Sequence, residues 1–306
     1  MSELLVPFAY DYMLKAMWVS ALVGGVCAFL SAYLMLKGWS LMGDALAHSI
    51  VPGVAAAHLL KLPYAVGAFL AGLLAALGMA LVRSRSKLRE DAVIGIVFTA
   101  FFAAGMLMAS LNPTSVNIQS IALGNILGIS DGDARQVVVI AAISLLILAA
   151  SWKDLMLVFF DEAHARAAGL RPELLNVLFF TVLSAMSVAA LQTVGALLVI
   201  ALVVTPGATA YLLTDRFPRL LAISIVLGVV TSFLGAYLSF FLDGATGGVI
   251  VVLPTLVFLA AFVLAPKHGL LAQRRLAAAR DAGPPDPAAR PDGEVPQGFV
   301  PRETGP

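Results

Sequence analysis

Residues 40–60, SLMGDALAHSIVPGVAAAHLL, form an apolar run as long as a membrane helix but carry Asp44 and His48 inside it. Two helical residues four positions apart project from the same face, about one turn from each other. This spacing allows both side chains to bind one metal ion. An ionisable side chain within a membrane segment is costly unless it faces a polar cavity or a partner. We therefore interpret Asp44 and His48 as a divalent-cation site in a transport pathway.

Other interpretations of this pair stay open. Asp44 and His48 could pair with each other, or they could cap a helix that begins near the membrane interface. His58 lies on nearly the same face, but ten residues of helix place it about 15 Å from His48, too far to share one ion. We expect His58 to be interfacial or hydrogen-bonded. Pro52 and Gly53 predict a kink that opens the backbone toward a cavity.

The composition is that of a membrane protein that crosses the bilayer several times. Of 306 residues, 60% are hydrophobic and 12% are charged, which lies outside the range of soluble domains. Cys27 is the single cysteine, so an internal disulfide and a thiolate metal cluster are both excluded. The first residues lack the features of a cleaved signal, so we expect the first apolar run to be retained. We expect contact with membrane lipid and none with nucleic acid.

The apolar runs predict an all-α bundle of eight to nine transmembrane spans. Several runs approach the ~20 residues needed to cross the hydrocarbon core. Only Gln192, Thr193 and Gly195 interrupt residues 174–213, which leaves the count open. Residues 1–268 form the expected membrane domain, and residues 269–306 are expected to be a largely disordered cytoplasmic tail because they are polar and proline-rich. The runs are 12–36, 41–60, 63–82, 92–111, 136–152, 174–193, 195–213, 220–242 and 248–266.

Basic residues predict the orientation. They concentrate at alternate ends of the runs if the polar segment 111–133 does not cross the membrane. By the positive-inside rule, that side is cytoplasmic, so the N-terminus is expected outside and the C-terminus inside. The basic positions are Lys37, Arg83, Arg85, Lys87, Arg89, Lys153, Arg166, Arg171, Arg216, Arg219 and the stretch 267–280.

On the same side, the segment 153–173, KDLMLVFFDEAHARAAGLRPE, predicts a short helix parallel to the membrane. Asp161 is placed to cap its start, Gly169 to end it, and Pro172 follows. From composition alone, this helix could be an ordinary amphipathic connector.

The stretch SLMGDALAHSIVPGVA resembles the signature of the permease subunits of bacterial ABC importers for zinc and manganese, which carry a G-D-A-x-x-H core. Four further stretches resemble the same family in the same order, and the set spans most of residues 10–268. They are EDAVIGIVFTAFFAAGMLM at 90–108, LGNILGIS at 123–130, FDEAHARAAGL at 160–170 and QTVGALLVIALVVTPGATA at 192–210.

The resemblance implies a multi-pass permease of the bacterial inner membrane that moves Zn²⁺ or Mn²⁺ into the cytoplasm. It also implies a permease homodimer, a separate ATP-binding subunit and an extracytoplasmic metal-binding protein. Asp44 and His48 would be metal ligands in the path. The segment after residue 160 would be the coupling helix that docks on the ATPase, formed by Asp161, Glu162, Ala163, His164, Ala165, Arg166, Ala167, Ala168 and Gly169.

The sequence carries no G-x-x-x-x-G-K-[ST] phosphate loop and no H-E-x-x-H motif, so we expect a transport subunit and not an enzyme. The main alternative is a proton-coupled secondary transporter with Asp44 and His48 as a relay, although no internal repeat supports it. A permease for iron-siderophore or cobalamin and a structural membrane protein are lesser alternatives. Imidazole suits zinc and carboxylate suits manganese, so the ion is left open.

Overall fold

The computed structural model describes residues 3–39, 41–111 and 126–265, and every regular element within them is helical. This confirms the all-α fold class. Two short 3-10 helices occupy Glu3–Ala9 and Ile126–Gly128. The α-helices are α1 (Asp11–Lys37), α2 (Met42–Ser49), α3 (Val51–Leu60), α4 (Tyr64–Arg85), α5 (Glu90–Leu111), α6 (Asp131–Phe160), α7 (Glu162–Ala167), α8 (Pro172–Val194), α9 (Ala196–Leu213), α10 (Phe217–Leu242) and α11 (Thr246–Leu264).

Within the described residues, seven helices are long and apolar enough to cross a membrane, namely α1, α4, α5, α6, α8, α10 and α11. The eight or nine spans expected from sequence are therefore not confirmed. The expected span over residues 41–60 is divided at Ile50 into α2 and α3, of 8 and 10 residues. Pro52 explains the break, because proline lacks an N–H and its ring clashes with the carbonyl of the preceding turn.

Helix α9, Ala196–Leu213, covers nearly all of the predicted run 195–213. The predicted break before it is confirmed at Gly195, which separates α8 from α9 at φ 90° and ψ 163°. Only glycine adopts this backbone conformation readily.

Helix α1 is the centre of the bundle and packs against α6, α8, α9 and α10. In its most apolar stretch, 83% of the residues are buried. A Cβ atom added at Gly24 would lie 2.6 Å from the Gly228 carbonyl oxygen of α10, so only glycine permits this approach of the two helices. Small residues at helix contacts are the usual device of membrane bundles, where lipid provides no hydrophobic drive for association.

One end of the bundle gathers the basic helix ends, as the alternation predicted. Lys37 at the end of α1 pairs with Glu162 at 3.4 Å, and the Arg83 guanidinium lies 4.9 Å from the ring centre of Trp39. At the other end, Lys15 pairs with Asp131. The cytoplasmic assignment of the basic end stays a prediction. Residues 112–125 of the polar segment and the whole tail 269–306 lie outside the described residues.

Candidate metal site and coupling helix

The eight residues of α2 divide into six that are buried and two that are partly exposed, Asp44 and His48. The buried residues seat α2 against its neighbours. A Cβ atom at Gly43 would lie 2.9 Å from Val203 Cγ1 of α9, which shows how closely the two helices pack. Helix α2 therefore presents its two ionisable side chains along one open stripe and buries the rest of its surface.

The two side chains of that stripe contact each other. His48 Nε2 lies 3.2 Å from Asp44 Oδ1, and the side chains are 33% and 41% exposed, respectively. The sequence-predicted pair is thus brought together on one helix face. In the described part of the chain, no group of three or more His, Cys, Asp or Glu side chains forms a metal cluster. Within the described residues, the stripe therefore offers an ion two side-chain ligands, Asp44 and His48.

Sequence reasoning missed two aromatic neighbours of the pair. The ring centres of Phe98 and Phe102, both on α5, lie 5.5 and 5.7 Å from that of His48. They fall within the stretch 90–108 that carried the resemblance, and they stand four residues apart, which puts them on one helix face. Their spacing was visible in the sequence, but the packing of α5 beside α2 was not.

His58 is not part of this stripe. Its Nδ1 atom lies 2.9 Å from the Tyr64 hydroxyl, and the two rings stack with 10° between their planes. This confirms the expectation that His58 is hydrogen-bonded.

The predicted short helix after residue 160 is α7, and its predicted cap is confirmed. Asp161 Oδ1 accepts hydrogen bonds from the backbone N–H groups of Ala163 and His164, at 2.9 and 3.1 Å. These N–H groups, that of His164 foremost, hold the pKa of the Asp161 carboxyl below its usual range, because they stabilise the carboxylate. Gly169 follows the helix at φ 84°, and α8 begins at Pro172.

Helix α7 is tied to the long helices on both sides. Besides the Lys37–Glu162 pair, Arg166 donates a hydrogen bond of 2.8 Å to Glu173 of α8. Ala165 is fully buried. A displacement of α7 would therefore also displace α1 and α8.

A cavity of about 460 Å³ lies between α7 and the start of α2. It extends from α7 to Met42, the first residue of α2. Its lining includes Trp39, Met42, Arg83, Ile94, Glu162 and Arg166.

The family model described as the ABC 3 transport family matches residues 9–265. The chelated iron transport system membrane protein YfeC of Yersinia pestis is 70% identical over 271 residues, which cover 89% of this chain and 92% of that protein. The manganese transport system membrane protein MntB of Synechocystis is 48% identical over 267 residues, 87% of each protein. Among solved structures, PsaBC from Streptococcus pneumoniae in complex with Fab aligns with a TM-score of 0.76 and 32% identity, covering 87% of this chain and 96% of that chain.

Proposed function

Because this chain belongs to the ABC 3 transport family, we propose that it is the permease of an ABC importer that carries divalent transition-metal ions into the cytoplasm. It is a transport protein and not an enzyme, which agrees with the missing phosphate loop. The support for a metal path is the composition of α2, which buries every residue except Asp44 and His48.

The distance within the pair suits a shared ion. Metal–nitrogen and metal–oxygen bonds are about 2.0–2.2 Å long, so two adjacent ligands of one tetrahedral or octahedral ion stand about 2.8–3.6 Å apart. His48 Nε2 and Asp44 Oδ1 are separated by 3.2 Å. An ion can therefore take the place of the direct contact between the two side chains with little movement of either.

Two ligands are fewer than the four to six that such ions take in stable sites. Water and a second copy of the chain are the sources we propose for the others, with the exposed stripe of each α2 facing the path between two permeases. Incomplete coordination suits a conduit, because an ion that is held tightly leaves slowly.

For the transported ion, we propose manganese or iron(II), with zinc as the competitor to be tested. The relatives above are named for manganese and chelated iron transport. One carboxylate and one imidazole form a hard and borderline donor set that accepts all three ions. Selection among them then depends on geometry and on the metal-binding protein that delivers the ion.

Helix α7 is the proposed docking element for a separate ATPase subunit. Its N-cap keeps the start of α7 helical, and its ion pairs connect it to α1 and α8, so a displacement of α7 would move these long helices. We assign the basic end of the bundle to the cytoplasm of a bacterial cell and the N-terminus to the outside, where an extracytoplasmic metal-binding protein would dock.

Uptake measurements test this proposal. Proteoliposomes with the full complex are supplied with radiolabelled Mn²⁺, reduced Fe²⁺ or Zn²⁺, and wild type is compared with Asp44→Asn and His48→Gln at equal protein content. We expect each variant to lose more than about 100-fold in ATP-dependent uptake, because even outer-shell partners of a metal contribute about 10- to 100-fold. His58→Gln, which removes a histidine away from the stripe, is the matched control and should retain uptake.

Unchanged uptake in both α2 variants would exclude the metal path. Uptake that needs no ATP and follows a proton gradient would instead favour the secondary transporter, for which the direct Asp44–His48 contact would be the relay.

A further inference from the structure

The direction of the His48 imidazole is restricted by a neighbouring helix. The planes of Phe98 and Phe102 make angles of 57° and 81° with the imidazole plane, so both rings meet it tilted or edge-on. The two phenyl rings also lie 6.1 Å from each other, centre to centre. A rotation of His48 toward α5 would bring the imidazole against one of these rings.

The position of the two rings is fixed in turn by the backbone around them. Three residues after Phe102, a Cβ atom at Gly105 would lie 2.8 Å from both the Pro52 nitrogen and Val51 Cγ1, so α5 lies directly against the start of α3. Three residues before Phe98, a Cβ atom at Gly95 would meet nothing within 4 Å. These four residues share one face of α5. On this face, Gly105 contacts α3, Phe98 and Phe102 carry the two rings, and Gly95 has open space beside it.

We propose that Phe98 and Phe102 are positioning residues that hold the His48 imidazole with Nε2 directed at Asp44, so that both ligands are ready for one ion. This inference rests on the proposed function, since it concerns the same pair. The rings supply no ligand themselves. They limit the orientations of His48.

The test uses Phe98→Leu, Phe102→Leu and the double variant in the full complex. Leucine keeps an apolar side chain at each position but removes the flat ring. The matched control is Phe101→Leu, since Phe101 lies on the same helix and packs against the same core as Phe98. Among the described residues, the ring contacts of His48 are with Phe98 and Phe102. Phe102 is 37% exposed, so Phe102→Tyr can keep the ring and place its hydroxyl in open space.

Two measurements are made on each variant. One is the maximal rate of ATP-dependent Mn²⁺ uptake, and the other is the rate at which diethyl pyrocarbonate modifies His48, read by mass spectrometry with His58 and His164 as internal references. We expect each leucine variant to lower uptake about 3- to 10-fold, which is the range of an aromatic pair contact, and to speed His48 modification. Phe101→Leu and Phe102→Tyr should change neither rate by as much as twofold.

An unchanged His48 modification rate in the double variant would overturn the positioning role, whatever happens to uptake. Equal effects of Phe101→Leu would overturn it as well, because general loosening of α5 would then explain the result. Failure of the proposed function gives a different result from failure of the positioning role. Uptake that survives His48→Gln would exclude the metal path, and the modification rates would still report whether the rings hold the imidazole.

Discussion

Two short helices of this protein, α2 and α7, each have an aspartate at or near their start and a histidine within them, and the two aspartates have different partners. Asp44 lies inside the first turn of α2 and contacts His48, four residues on. Asp161 lies just before α7 and accepts the N–H groups of Ala163 and His164. The Asp44 carboxylate contacts an imidazole, and the Asp161 carboxylate is occupied by the backbone N–H groups of the helix that follows it.

The difference shows that position within the helix, and not residue type, decides what the carboxylate can do. A residue at the N-cap meets free backbone N–H groups, and an aspartate there satisfies them. Asp44 lies three residues past the N-cap of α2, and its side chain contacts His48, the residue four positions on along the same helix face. The same two residue types therefore serve structure at α7 and, as we propose, transport at α2.

Of the substitutions that test the difference between α2 and α7, the largest effect should come from displacing α2 from its packing against α9. Gly43→Leu places a side chain where Val203 of α9 already lies within 2.9 Å of the added Cβ. Overpacking of this kind costs about 1–3 kcal/mol, and it displaces the helix that holds Asp44 and His48. We expect a lower denaturation temperature of the complex and loss of most Mn²⁺ uptake.

The control for that substitution is Gly248→Leu in α11, where an added Cβ meets nothing within 4 Å. It should change neither the denaturation temperature nor uptake. If Gly43→Leu behaved like this control, the close seating of α2 on α9 would not matter to the site.

Much of the difference between α2 and α7 could be predicted from the sequence. The spacing of Asp44 and His48 predicted their shared face, and the order Asp161, Gly169 and Pro172 predicted a capped and terminated short helix. Both follow from local geometry, which depends only on neighbours along the chain. Whether the pair binds metal stays a prediction.

Long-range packing was not readable. The proximity of Phe98 to His48 depends on α5 lying beside α2, and no local rule fixes that. The span over residues 41–60 was also expected as one helix, because an apolar run does not reveal where its hydrogen-bond ladder breaks. Pro52 indicated a kink, and the structure shows a division of the segment into two helices at Ile50.

A smaller effect should come from the ion pair that joins α7 to α1. The side chains of Lys37 and Glu162 are 16% and 33% exposed, and pairs near the surface contribute about 0.2–1 kcal/mol. Lys37 stands two residues before Trp39, which leads into α2, so we expect the pair to help α7 transmit movement toward the metal site. Lys37→Glu or Glu162→Lys should lower the ions imported per ATP hydrolysed by up to about fivefold, the factor that corresponds to about 1 kcal/mol.

The double exchange, Lys37→Glu with Glu162→Lys, restores opposite charges and should recover most of the lost ratio. Arg166→Glu with Glu173→Arg offers the parallel exchange at the pair between α7 and α8. If the double exchange at Lys37 and Glu162 recovered nothing, their charges would not be what links α7 to α1.

The smallest effect concerns the cap of α7 and depends on pH. Because the folded-state pKa of Asp161 is depressed, the carboxylate stabilises α7 at pH values above the usual aspartate range. That contribution is lost as pH falls through the lowered pKa. Hydrogen exchange at the Ala163 and His164 amides should therefore be slower than in Asp161→Ala at neutral pH, and the ratio should shrink toward one in acid. Asp161→Asn, whose amide oxygen caps without titrating, should keep a constant ratio, and a decline in that variant too would assign the pH dependence to another group.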